Sequence, residues 1–192
     1  MAVKKNKIIT YLSCICIFLL CLTGCSIDST SEHTNKEVSQ YQNEQIQIHP
    51  VELVKVFDGD TLLVSFDNRK PFRVRLIGVN TPESVHPDNN KNTQEGVAAS
   101  NYTKSRLKKG QTIYLEYDKD KYDDYDRTLA YVWLDCSAVC SLNDGSSKLD
   151  TNFLAANMLN AELLKNGYAE LMLIEPNTKY SNLFQSIQNK RK

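Results

Sequence analysis

The chain has 192 residues, and 23 Lys plus Arg balance 23 Asp plus Glu, so the formal net charge is zero. That balance excludes a general polyanion-binding surface and leaves any such site local. With 41% hydrophobic and 24% charged residues, wholesale disorder is excluded as well, and the length suits one domain of ordinary size.

At the N-terminus Lys4, Lys5 and Lys7 precede an uncharged apolar run over residues 8–22, followed by Gly24 and Cys25. This is the pattern of an export signal, and the run is shorter than the ~20 residues that span a membrane. Leu22-Thr23-Gly24-Cys25 resembles the bacterial lipobox, in which the cysteine is lipidated after cleavage. The expectation is a lipoprotein signal over residues 1–24, with Cys25 anchoring the exported protein to the outer face of the bacterial membrane. A plain secretory signal with later release is the alternative. Residues 25–47 are rich in Ser, Thr, Asn, Gln and Glu and read as a flexible polar spacer, leaving a domain over residues 48–192.

Within that domain, residues 51–56, 61–66 and 72–77 are β-branched or alternating runs, separated by Asp58-Gly59-Asp60 and by residues 67–71, so they read as strands joined by tight turns. Residues 93–107 read as an amphipathic helix with Val97, Ala98, Tyr102 and Leu107 on one face, stopping near Gly110. Strands at 112–117 and 129–134 flank a polar loop, and a second helix is expected at 153–165, ending before Gly167. Residues 168–174 are apolar enough to pack, Pro176-Asn177 is a turn, and 180–192 form a last helix. Five strands with interleaved helices suit an α+β, mainly β, barrel of the OB type, although other α+β folds share the pattern.

Cys14, Cys16 and Cys21 fall in the signal, so Cys136 and Cys140 are the cysteines left for the folded part. A disulfide across this short loop and two free thiols both remain open, and the pair is too few for a tetrahedral zinc site. His33, His49 and His86 sit in polar surroundings and read as solvated, and Trp133 alternates with Leu129 and Tyr131 as a core residue.

Three segments carry chemistry: Asp58-Gly59-Asp60-Thr61; Arg75-Leu76-Ile77-Gly78-Val79-Asn80-Thr81-Pro82-Glu83; and Asp123-Asp124-Tyr125-Asp126-Arg127. Each alone has a plainer reading, a hairpin turn or a surface ion pair. Together they supply oxygen ligands for a hard cation, guanidiniums for phosphate and a free acid, the equipment for phosphodiester hydrolysis. Arg73 and Arg75 share one face of their strand.

Their order and spacing resemble the staphylococcal nuclease (thermonuclease) family over roughly residues 51–177. The resemblance implies a five-stranded OB-fold barrel with three helices, acting as a monomeric, calcium-dependent nuclease on DNA and/or RNA and leaving 3′-phosphate ends. It implies Asp60, Asn80 and the Thr81 carbonyl as Ca2+ ligands, with Asp58 behind them. Arg75, Glu83 and Arg127 are implied as catalytic residues, and Tyr125 as a substrate-binding residue. The sequence departs from the family pattern at Asn80, where an aspartate is usual, and at Asp126, where a glycine is usual. Asp124 replaces a residue that is often basic, and Met172 and Ile174 replace tyrosines. These departures keep open a second reading, a catalytically weakened module that binds nucleic acid or protein at the cell surface.

Overall fold

The computed structural model describes residues 45–191 apart from positions 68, 86, 89 and 91. The expected signal, the lipidation residue Cys25, His33 and His86 lie outside the described residues. Five strands close a barrel in the order β1 (His49–Asp58), β2 (Thr61–Ser65), β3 (Phe72–Leu76), β6 (Thr128–Trp133) and β5 (Thr112–Glu116). Neighbours pair antiparallel except β3 with β6, which run parallel. The α+β, mainly β, barrel expected from the alternation is therefore present. Its lumen is filled by the inward residues of each strand: Val51 and Leu53, Leu62 and Val64, Val74 and Leu76, Ile113 and Leu115, Ala130 and Val132, all 3% exposed or less. Trp133 is fully buried, and its indole N–H donates to Glu116 Oε2 at 2.6 Å.

Outside the barrel, short strands β4 (Gly78–Asn80) and β7 (Glu170–Met172) form a separate antiparallel pair in which Asn80 faces Glu170. Helix α1 (Gln94–Arg106) leans on β1 through Gly96, Ala99, Ser100 and Thr103, not through the face expected from Val97 and Ala98; Val97 is 48% exposed. The reason is close approach. A Cβ on Gly59 would lie 2.9 Å from the Ala99 Cβ, so only a face of small residues lets the helix sit against the β1–β2 turn. Thr103 Oγ1 donates to the Gly59 carbonyl at 2.7 Å and closes that contact.

The described residues hold five helices where three were expected. The segment after β6, read as a loop, forms α2 (Cys136–Asn143), capped by Asp135 and packed through Ala138 and Val139. The helix expected over 153–165 is two, α3 (Thr151–Asn157) and α4 (Leu159–Lys165), divided at Met158. Met158 is extended (φ −122°, ψ 123°), forms a β-bridge with Trp133 and is fully buried, so tertiary packing overrides a periodicity that would run on. Ile46, read as spacer, is 7% exposed and exchanges two hydrogen bonds with the Asn143 side chain, at 2.8 and 2.9 Å. The folded part thus takes in at least this residue. The chain ends in α5 (Ser181–Arg191), packed through Leu183, Phe184 and Ile187.

Candidate active site

The β1–β2 turn sets two carboxylates side by side, both nearly buried. Asp60 Oδ2 accepts the Thr81 backbone N–H at 2.7 Å and the Thr81 hydroxyl at 3.0 Å, tying the turn to the segment after β4. Its Oδ1 accepts only the Thr61 hydroxyl, at 3.1 Å. Asp58 bonds not toward Asp60 but toward Ser84, whose hydroxyl donates to Oδ1 at 2.6 Å. It therefore braces the residue next to Glu83.

Arg73 and Arg75 do share the outer face of β3, but only Arg73 is exposed; the β4 segment folds over Arg75 and leaves it 9% exposed. Arg75 Nη1 donates to the Leu76 and Val79 carbonyls, both at 2.7 Å. Nη2 donates to Asn80 Oδ1 at 3.0 Å and pairs with Asp60 Oδ2 at 3.2 Å. Four of its five N–H donors are thereby engaged, and Nε–H faces no partner among the described residues. Burial lowers the guanidinium pKa, opposed by Asp60; Arg127 lowers it further, while Asp123 and Glu83 raise it. Arg127, Asp123 and Glu83 thus act on Arg75 through charge and not through direct contact.

Arg127 is arranged the opposite way. Its Nε donates to Asp123 Oδ2 at 2.7 Å, and its guanidinium carbon lies 5.4 Å from the centroid of the 80%-exposed Tyr125 ring, leaving both terminal nitrogens without a protein partner among the described residues. Burial alone would raise the Asp123 carboxyl, but N–H donors from Arg127 and Tyr125 hold it below the ordinary carboxylate range. Asp126, where the family usually has glycine, is in the left-handed region at φ 58°, which is why glycine suits the position.

Glu83 stands exposed between β4 and α1, its backbone carbonyl accepting the Thr93 N–H at 2.9 Å. Thr93 Oγ1 in turn accepts the Gly96 N–H at 2.9 Å and caps α1. A Cβ on Gly96 would lie 2.5 Å from the Glu83 carbonyl carbon and 2.7 Å from the Pro82 oxygen. Gly96, Thr93 and Ser84 are positioning residues that the motifs do not mention. Asn160 is another: fully buried, it donates to the Ile77 carbonyl at 2.9 Å and accepts the Val132 N–H at 2.9 Å, fixing the β3–β4 junction. A lone amide within the apolar run of α4 was its only signal.

The structure brings Asp60, Arg75, Asn80 and Thr81 into direct contact, with Asp58, Glu83, Arg127 and Tyr125 at the borders. Cys136 and Cys140 are free thiols one turn apart on α2, so the disulfide left open by the sequence is not formed. No group of three His, Cys, Asp or Glu side chains fit to hold a metal occurs among the described residues. The side-chain oxygens brought together at the cluster are instead the Asp60 carboxylate, the Asn80 amide oxygen and the Thr81 hydroxyl. This all-oxygen set fits a hard cation in kind, with a single formal negative charge. Beside it, Met172 and Ile174 are 39% and 60% exposed on the strand paired with β4 and on the turn that follows it.

The family model described as staphylococcal nuclease homologue matches residues 73–192. The chain is 40% identical over 134 residues to a thermonuclease of Staphylococcus intermedius, covering 70% of this chain and 66% of the relative. It is 37% identical over 136 residues to a thermonuclease of Staphylococcus hyicus, covering 71% and 67%. A Bacillus subtilis endonuclease, YncB, is 34% identical over 152 residues, covering 78% of this chain and 61% of the relative. The chain thus spans about two thirds of the length of these relatives. With the barrel and the clustered motifs already in place, the match over well over half of its residues means that the chain belongs to the staphylococcal nuclease family.

Proposed function

We propose that this protein is a calcium-dependent nuclease that hydrolyses phosphodiester bonds of DNA or RNA with little base preference. The observation that carries the reading is the convergence of Asp60, Arg75, Asn80 and Thr81 in one hydrogen-bonded cluster, with the free guanidinium fork of Arg127 and the exposed acid Glu83 at its border. Asp60, Asn80 and the Thr81 carbonyl would hold the ion, which when bound supplies positive charge against the charge that builds on the phosphate.

The chain's own residues do the rest. Arg127, steered by Asp123 and Tyr125, presents two parallel N–H donors suited to a phosphate edge. Arg75 contributes its positive charge, its Nε–H and, on leaving Asn80, an Nη2 donor for the phosphate. Glu83 takes a proton from the attacking water; the water oxygen bonds to phosphorus as the bond to the 5′ oxygen breaks, and the departing 5′ oxygen takes a proton from solvent, leaving a 3′-phosphate and a 5′-hydroxyl. Contacts of this kind touch phosphate and not bases, which accounts for the low base preference.

The full chain, with calcium and then with a chelator, should cut single-stranded DNA and RNA only in the first case. Glu83→Ala should abolish most turnover and shift Tm by no more than about 2 °C, because the Glu83 side chain is exposed and has no hydrogen-bond partner among the described residues. Folded protein that cuts neither polymer at high calcium would turn the reading to a binding module, which Asn80 and the acids Asp124 and Asp126 would favour. The sequence also supports export as a monomer tethered through Cys25. Loss of membrane association in Cys25→Ala is the expected result, and unchanged fractionation would reject the anchor.

A further inference from the structure

On the outer face of the barrel, next to the cluster, the β1–β2–β3 register sets Lys55 opposite Leu63 and Leu63 opposite Arg73, one row across three adjacent strands. Phe57, two residues after Lys55 in β1, lies on this face as well. Its ring holds both cations: Lys55 Nζ lies 5.0 Å from the centroid, and the Arg73 guanidinium carbon 4.8 Å. Both side chains are exposed, and neither makes an ion pair among the described residues. Arg75, Arg106, Arg127, Lys179 and Arg191 each pair with a carboxylate, whereas these two cations of different strands share one aromatic ring and carry no carboxylate to offset them.

Arg73 lies two residues from Arg75 on the same face of β3, a step of about 6.6 Å, comparable to the phosphate repeat of an extended strand. We infer that Lys55 and Arg73, held in place by Phe57, form a phosphate-binding subsite on the β1–β2–β3 face that takes the backbone of a single-stranded nucleic acid beyond the scissile bond. The inference rests on the nuclease reading and extends it to the length of strand engaged. An aromatic ring that positions two unpaired cations on the open face of an OB-type sheet makes a sequence-independent electrostatic contact.

The test compares full-chain wild type with the double variant Lys55→Ala/Arg73→Ala, using Lys148→Ala on the α2–α3 connection as a charge control. Binding of a fluorescent 20-nucleotide single strand is measured in chelator from 50 to 200 mM salt, and hydrolysis of the same strand and of bis(p-nitrophenyl) phosphate in calcium. The double variant should bind the 20-mer about tenfold more weakly at low salt and lose about 1.4 from the slope of log affinity against log salt, roughly 0.7 per phosphate contact. KM for the 20-mer should rise with kcat unchanged, and hydrolysis of the small diester should not change. Equal affinity and salt slope in the double variant and wild type would overturn the subsite; a lower Tm with unchanged slope would reduce the three residues to a surface packing motif. Absence of wild-type hydrolysis would reject the nuclease reading, while the binding arm would still decide the subsite.

Discussion

Replacing Gly96 with alanine tests whether Glu83 is positioned by α1. The new methyl would sit 2.5 Å from the Glu83 carbonyl carbon and closer still to its oxygen, against an ordinary contact of about 3.5 Å. The Pro82–Glu83 backbone must therefore retreat by about 1 Å, stretching the bond from the Thr93 N–H to the Glu83 carbonyl. Two stability effects oppose each other. Overpacking costs about 1–3 kcal/mol, while alanine in place of glycine in a helix returns up to about 1 kcal/mol. The net loss is at most about 3 kcal/mol, a fall in Tm of no more than roughly 10 °C. Activity should suffer more, since a misplacement of about 1 Å lowers turnover by roughly 100-fold. Calcium-supported hydrolysis measured beside a melting curve separates the two effects. A variant with kcat within threefold of wild type would show that Glu83 does not depend on this contact.

Other substitutions probe other parts of the site. Asp126→Gly relieves the φ of 58° and removes a negative charge beside Arg127; it should raise Tm by about 2–4 °C and lower KM for DNA, and an unchanged Tm would mean that aspartate is unstrained there. Burial raises the Glu116 pKa despite the donors Lys179, Trp133 and Tyr180. Because folding raises it, the contribution of Glu116 is full below the ordinary carboxylate range and fades as pH rises through the shifted value. Urea unfolding from pH 4.5 to 7.5 should therefore show wild type losing stability relative to Glu116→Gln as pH rises, and parallel curves would refute the shift. Asn80→Asp adds a second charged ligand and should tighten calcium binding by about tenfold in a calorimetric titration.

The barrel was legible because its strands alternate cleanly: Leu62 with Val64, and Val74 with Leu76, point inward wherever their period of two predicts. The site residues were legible as motifs because chain order brings D-G-D-T and the R-to-E segment to the same end of β1–β4. What sequence could not show is contact-dependent. The buried face of α1 is made of Gly96, Ala99, Ser100 and Thr103, chosen for close approach, so hydrophobic periodicity pointed to Val97 instead. The break at Met158 comes from its bridge to Trp133, a partner 25 positions away, and no local propensity encodes it. Likewise α2 over residues 136–143 is only two turns long, and it is fixed by the Asp135 cap and the packing of two small apolar side chains, Ala138 and Val139.

Arg75 shows a conflict that the motif alone hides. Its Nη2 is shared between the Asp60 carboxylate and the Asn80 amide oxygen, so it can turn to a phosphate only by leaving one of them. Because the guanidinium is charged, its bond to the neutral Asn80 amide is already worth roughly 1.5–3 kcal/mol, and a carboxylate in that place would add the attraction of a second negative charge. An aspartate at position 80 would thus clasp Nη2 from both sides. The same change that strengthens ion binding would make Arg75 slower to release toward substrate. Asn80→Asp is therefore expected to separate two quantities that normally move together, with calcium affinity rising and kcat at saturating calcium staying level or falling. A parallel rise in both would mean that Arg75 acts through Nε alone and need not leave Asn80 at all.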